Sequence, residues 1–158
     1  MYQVHLTDSY FAAQTDLSLR EMTICDALRE AADRWPDRPA VSEVTTAGDT
    51  ARRWTYAELL DAATRLARAL ASRFQKGERV VVWAPNIPEW ALMEYACALS
   101  GVVLVTANPA FQPKELRYVL EQSLASGLLL INDFRGNPMA KVAAEAGAGL
   151  DHVREVTD

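Results

Sequence analysis

A doubly wound α/β domain, its mostly parallel sheet flanked by helices and preceded by a small hairpin, is the fold class this sequence predicts. Short, continuously apolar runs at residues 80–83, 102–105 and 128–131, with a weaker fourth at 152–156, recur about every 25 residues. Such runs suit strands covered on both faces, the habit of a parallel sheet. Between them, residues 88–100, 113–126 and 138–146 read as helices. Each opens on a proline, where a missing N–H costs nothing, and Gly101, Gly127 and Gly147 stand at or just past the ends as expected C-caps. Strand and helix alternating at this spacing define repeated βα units rather than a solenoid.

The elements ahead of the sheet follow from local chemistry. Residues 1–22 mix Tyr2, Tyr10 and Phe11 with polar residues without a clean period, so they are expected to form an arm lying on the domain, with residues 23–158 as the α/β subdomain. Thr23 followed by Asp26 predicts a capping box. Ile24, Leu28, Ala31 and Ala32 then share a helical face, and Trp35 before Pro36 closes the segment. Residues 40–45 and 52–55 flank the turn-forming Ala47-Gly48-Asp49 and predict a hairpin. Thr55 and Glu58 form a second capping box, ahead of Tyr56, Leu59, Leu60, Ala63, Leu66, Ala67, Leu70 and Phe74 at helical spacing. The opposite face carries Asp61, Arg65, Arg68 and Arg73, with Asp61 and Arg65 in the favourable i,i+4 order. The helix at 88–100 departs from this pattern, because only Glu89 and Glu94 are charged. A helix apolar nearly all round is normally covered on more than one side, so membership of something larger, or a homodimer, is expected.

Composition narrows the function classes. The chain has 158 residues, 50% hydrophobic and 23% charged, enough to bury a core and too apolar for a disordered state. A net charge of −5 without a dense basic stripe disfavours nucleic acid as a partner. Cys25 and Cys97 lie inside apolar helical patterns, far apart in sequence, and give neither a disulfide framework nor metal-ligand spacing. No window is long and apolar enough to span a membrane and no leader pattern precedes Asp8, Asp16 and Arg20, so a cytoplasmic location is expected.

Ligands of open α/β sheets gather at the carboxyl ends of the strands, which directs the search to loops 84–88, 106–113 and 132–138. All three carry Pro and Asn. Asn86, Asn108 and Asn132 could line a polar groove, but turn and capping duties explain them more economically, and Asn86 with Glu89 three positions on is a candidate N-cap. No loop is a phosphate cradle, which needs several free N–H groups and close approach through Gly, and neither GxGxxG nor GxxxxGK[ST] occurs. His5 and His152 are isolated from other metal ligands. Glu94 could be a buried carboxylate of raised pKa or, with Ser100, part of a narrow solvent stripe, and the second reading is preferred. Arg52-Arg53 reads as a solvated face on an edge strand. No GxSxG elbow and no Cys–His nucleophile pattern is present. The residues alone thus nominate no catalytic, cofactor-binding or metal-binding side chain.

Several short motifs in order nevertheless resemble a known family. Trp54-Thr55-Tyr56-Ala57-Glu58-Leu59, Gly77-Glu78-Arg79-Val80, Pro85-Asn86-Ile87-Pro88-Glu89, Gly101 with residues 102–107 and Asn108-Pro109, and Glu115-Leu116 with Tyr118 are similar to the early motifs of the adenylate-forming superfamily, which includes acyl- and aryl-CoA synthetases, luciferases and peptide-synthetase adenylation domains. Asn108-Pro109, where peptide-synthetase domains usually carry Asp-Pro, is more like the fatty-acyl-CoA branch. Ser100-Gly101-Val102 replaces the commoner Ala-Gly-Ala.

The resemblance implies that the chain is the N-terminal part of a two-step ligase. In it a fatty carboxylate attacks the α-phosphate of ATP-Mg to give acyl-AMP and pyrophosphate, and the CoA thiol then displaces AMP. It also implies that the Ser/Thr/Gly-rich, Lys-bearing phosphate loop, the ribose-binding acid and the lid-domain Lys lie outside these residues. The chain alone is therefore expected to be inactive. A stand-alone α/β binding module, or the same family acting on an aryl acid, are the competing expectations.

Overall fold

The computed structural model describes residues 12, 15, 16, 18–45 and 47–158. Most of the expected arm at 1–22, with His5, lies outside the described residues.

Helix α1 (Ile24–Arg34) is capped as predicted: the Thr23 hydroxyl accepts from the Asp26 N–H and the Asp26 carboxylate accepts from the Thr23 N–H. Strands β1 (Pro39–Val44) and β2 (Thr50–Thr55) form the antiparallel hairpin. Helix α2 (Tyr56–Ala71) follows at once from the Thr55–Glu58 capping box, and Asp61 pairs with Arg65 on its outer face. It ends before Phe74, which is still only 5% exposed because the chain turns the ring back under the sheet.

Strands β3 (Arg79–Trp83), β4 (Val103–Ala107), β5 (Gly127–Leu130) and β6 (Glu155–Thr157) alternate with helices α3 (Glu89–Ser100), α4 (Pro113–Ser123) and α5 (Met139–Gly147). The sheet runs in the order β4-β3-β5-β6, and every pair is parallel. Pleating divides its side chains between two cores. Val81, Trp83, Leu128 and Leu130 face α4 and α5, meeting Leu116, Leu120, Met139 and Val142. Val80 and Val82 face α2 and α3, meeting Leu70, Phe74, Met93 and Cys97. The predicted doubly wound architecture is therefore present.

The expected glycine caps are partly overturned. Gly101 is the left-handed C-cap of α3, with φ 74°. Helix α4 instead ends at Ser123 on Leu124, with φ 50°, because the chain must leave the helix early enough to bury Ala125 and to let the Ser126 N–H reach the Arg79 carbonyl. Gly127 opens β5 and is required by space: a Cβ there would stand 2.6 Å from the Phe74 ring. Gly147 closes α5 without a left-handed cap. The Arg117 guanidinium donates to the Ala146 and Ala148 carbonyls, satisfying helix-end acceptors from outside. The fourth strand is also shorter than the expected 152–156. Turn bonds from Leu150 to Gly147 and from Val153 to Leu150 occupy that backbone until the Arg154 N–H meets the Ser126 carbonyl.

Glu78, just before β3, gathers the amino ends of three strands. Its carboxylate accepts from the Gln75 N–H, the Ser126 hydroxyl and Arg154, and these bonds hold its pKa below the usual glutamate range.

Candidate functional site

Strand order fixes where a site can form. From the interior strand β3 the chain passes through α3 on one face, whereas from its neighbour β5 it passes through α5 on the other. Connections that part in this way open a crevice beyond the carboxyl ends of β3 and β5.

The loops around that crevice are tied by side chain to backbone bonds. The Trp83 indole N–H donates to the Asn108 carbonyl at 2.7 Å, and Trp90 donates to the Ala84 carbonyl at 3.0 Å. Asn108 Oδ1 accepts from the Ala110 N–H, the economical turn duty expected for it. Asn137 Nδ2 donates to the Pro109 and Phe111 carbonyls at 3.2 and 3.4 Å, stapling the loop after β5 to the loop after β4. Asn132 Nδ2 meets the Asp158 carboxylate. Asn86 is exposed and does not cap α3, correcting that expectation. The helix starts two residues later, with Pro88 as the N-cap, and the Ala91 and Leu92 N–H groups donate to the Pro88 carbonyl.

Between Phe134 and Asn137 the chain makes a two-residue reversal closed by reciprocal bonds of 3.1 and 2.9 Å. Positive φ at both central residues, Arg135 (51°) and Gly136 (78°), gives the tight hairpin geometry that Gly accommodates and Arg does not favour. The Arg135 guanidinium lies 5.2 Å from the Phe134 ring centre.

Beside the crevice, on the α2–α3 side of the sheet, lies an open groove of about 600 Å³ lined by Leu66, Val82, Trp90, Met93, Leu129 and Ile131, with Arg52, Glu89 and Asp158 at its rim. Arg52 and Arg53 are exposed, as their sequence position suggested, and Arg52 is ion-paired as well. It reaches from β2 to Glu43 on β1 and to both carboxylate oxygens of Glu89 on α3, clasping the hairpin to the domain. The guanidinium holds the Glu89 carboxyl below its ordinary range. A cleft of about 670 Å³ between α1, α2 and α3 is lined by Arg29, Asp33 and Arg68. It also touches Leu99 and Ser100 at the end of α3, the end that leads into the start of β4.

His152 Nε2 lies 3.2 Å from the Leu120 carbonyl. Glu94 is exposed, and the Ser100 hydroxyl donates back to its own helix at Ala96 and Cys97. Cys25 and Cys97 are buried free thiols; burial raises both pKa values, that of Cys97 to about 11, so they stay protonated and poorly nucleophilic near neutral pH. Among the described residues, no group of three or more His, Cys, Asp or Glu side chains converges. Each proline in the loops removes one N–H donor that a phosphate cradle would use.

A parallel sheet with early adenylate-forming motifs on its loops defines a class, and the family model described as AMP-binding enzyme matches residues 28–157; the chain belongs to that family. Bacillus subtilis YngI, whose name assigns it provisionally as an acyl-CoA synthetase, is 39% identical over 115 residues, 72% of this chain and 20% of YngI. The medium-chain acyl-CoA ligase of zebrafish mitochondria (Danio rerio) is 34% identical over 131 residues, 82% of this chain and 21% of that protein. Among solved structures, Mycobacterium smegmatis MbtA shares 33% identity with a TM-score of 0.73, over 88% of this chain and 25% of that one. The N-terminal domain of FACL13 from Mycobacterium tuberculosis shares 27% with a TM-score of 0.71, over 87% and 34%. The chain thus spans about a fifth of the length of the curated relatives it matches. Among the described residues, no helix is long and apolar enough to cross a membrane.

Proposed function

We propose that these residues are the N-terminal part of an ATP-dependent acid–thiol ligase that converts a fatty acid to its CoA thioester. The observation that carries this reading is the ordered motif series from Trp54 to Tyr118 lying within the family match, in relatives named as acyl-CoA synthetase and acyl-CoA ligase. In the reaction, a carboxylate oxygen attacks the α-phosphorus of ATP and pyrophosphate leaves. The CoA sulfur then attacks the acyl carbon and AMP leaves with the C–O bond electrons. ATP, magnesium ion, fatty acid and CoA are the ligands of the whole enzyme. The groups that stabilise charge developing on phosphate are assigned to other parts of it, and no catalytic role is assigned within these 158 residues. A cytoplasmic location and self-association belong to the same reading.

The test is ATP–pyrophosphate exchange with fatty acids of graded length and with aryl acids. The 158-residue chain should give none above a no-enzyme control, and exchange by it alone would overturn the division of labour. Reading the coding sequence past codon 158 complements it: a Ser/Thr/Gly-rich loop followed by Lys supports the ligase, and a stop codon favours a stand-alone binding module.

A further inference from the structure

The two edges of the parallel sheet are guarded unequally. β6 is three residues long, carries Glu155 in an ion pair with Arg73 and runs into Asp158, and short, charged edges resist pairing with another strand. β4 has none of these devices. Its residues Val103-Leu104-Val105-Thr106-Ala107 hold no charge and no proline, and they keep an unbroken register with β3. The Val103 N–H donates inward to the Glu78 carbonyl at 2.8 Å, so by alternation Val105 and Ala107 also bond inward, and the N–H and C=O groups of Leu104 and Thr106 face out from the sheet. Among the described residues, no strand pairs with that side.

That outward side matches itself. Pairing two β4 strands antiparallel about Val105 sets Leu104 opposite Thr106 of a second copy, where the two residues exchange both backbone bonds, and symmetry repeats the exchange. Val105 then meets its own copy, and Val103, 46% exposed, meets Ala107, on the sheet face that α4 covers. Helix α4 continues the pattern. Its exposed residues Lys114, Tyr118 and Glu121 recur at helical spacing, and Tyr118, 63% exposed, borders an open hollow of about 420 Å³ lined by Phe111 and Val119. Run antiparallel about Tyr118, two such stripes set each Lys114 against Glu121 of the other copy, and Glu121 is held in place by Arg117 on its own helix.

Chemistry selects a second copy over other occupants. A small ligand finds no enclosure at a sheet edge. Leu19, Met22 and Ile24 give another exposed apolar stretch at the start of α1, but it offers no unpaired strand and adjoins residues outside the described set; Val44, Leu124 and Val156 stand on separate elements. A different segment of a longer chain could pair the backbone of β4 but has no reason to reproduce the reciprocity of Lys114 and Glu121. We infer that two copies of this chain associate through β4 and α4, joining their sheets into one across a two-fold axis. This rests on the self-association in the proposed reading, gives it a surface, and is independent of the ligase chemistry. One short strand and one helix face make a small interface, so a transient dimer of micromolar strength is expected.

Reciprocal charge reversal tests it. In sedimentation equilibrium, the 158-residue chain should dimerise reversibly over micromolar concentrations. Lys114→Glu alone and Glu121→Lys alone should each weaken the dimer about tenfold, because the two-fold axis counts each reversal twice. Mixing the two variants should restore the parental affinity through a heterodimer in which both contacts again join opposite charges. In a separate arm, Val105→Cys should form an intermolecular disulfide under mild oxidation, since directly opposed, non-hydrogen-bonded residues have the spacing a disulfide needs, and the exposed Leu124→Cys should not. A chain that stays monomeric throughout the range overturns the inference. A dimer that lacks either the mixed-variant rescue or the Val105→Cys cross-link overturns it as well, and assigns self-association to another surface such as the start of α1. Cross-linking lost when these residues are carried in a family-length chain, natural or grafted onto the remainder of YngI, also overturns it by giving the edge to the rest of the chain. Pyrophosphate exchange by that longer chain reads the ligase assignment separately: a monomer that exchanges sinks only the interface, and a cross-linked dimer without exchange sinks only the ligase reading.

Discussion

Replacing Trp83 with Phe probes how firmly the carboxyl-end loops depend on one buried indole. Trp83 is 0% exposed, and its N–H is bonded at 2.7 Å to the Asn108 carbonyl. That carbonyl also accepts from the Phe111 N–H, so the substitution leaves no orphaned acceptor. The loss is therefore one net hydrogen bond, about 1 kcal/mol, plus about 1–2 kcal/mol for ring atoms missing from a close-packed site. A total of about 2–3 kcal/mol is a large share of the stability of a small domain. With a urea slope of about 1–3 kcal/mol per molar, the midpoint should fall by about 1–2 M at unchanged slope, followed by far-UV circular dichroism. Trp90→Phe, which removes a half-buried indole bonded at 3.0 Å to Ala84, should cost only about 1 kcal/mol. A Trp83→Phe midpoint within about 0.3 M of the parent, or no larger a shift than Trp90→Phe, would refute the placement of Trp83 as the central tie.

Three other perturbations are sharply directed. Gly127→Ala drives a methyl into the buried Phe74 ring and should destabilise by about 1–3 kcal/mol in the same urea titration. Leu124→Gly, at an exposed residue with φ 50°, should relieve left-handed strain of about 1–2 kcal/mol against a glycine entropy cost of about 0.5–1, giving a small rise in Tm. Glu78 and Glu89 have folded pKa values below the ordinary glutamate range, so their contribution is present above that range and is lost as pH falls through the lower folded values. Stability should then be flat from neutral pH down to about 5 and decline below it, and Glu78→Gln should flatten the decline.

Much of the fold was legible because its cues are local. Thr23 with Asp26 and Thr55 with Glu58 each set a helix start within four residues, and the apolar runs marked the strands by composition alone. The misreadings came from distant partners. Gly127 is a glycine because of Phe74, and α5 closes without a glycine cap because of Arg117. Neither relation leaves a trace in neighbouring residues. At the candidate site, the turn reading of Asn108 was recoverable from its dipeptide with Pro109. Asn137, in contrast, acts on carbonyls one βα unit away, and Arg52 acts on a glutamate beyond a helix and a strand. The signal for Arg52 was present in principle, since a hairpin arginine and a helix-start glutamate have opposite charges. Sequence spacing gave no reason to pair those two rather than others.

The strand order also carries a kinetic consequence. β3 is the earliest of the parallel strands and sits inside the sheet, so pairing grows outward from it in two directions as the later segments arrive. The β3-α3-β4 unit closes the shortest loop and is expected to nucleate, because loop-closure entropy favours the nearest partner. Until α4 and β5 are available, that nucleus exposes Val81 and Trp83, which become 0% accessible only at the end. During synthesis this interval is when the nascent chain is most open to off-pathway association, and slowing of elongation between codons 107 and 130 should raise the yield of aggregated product.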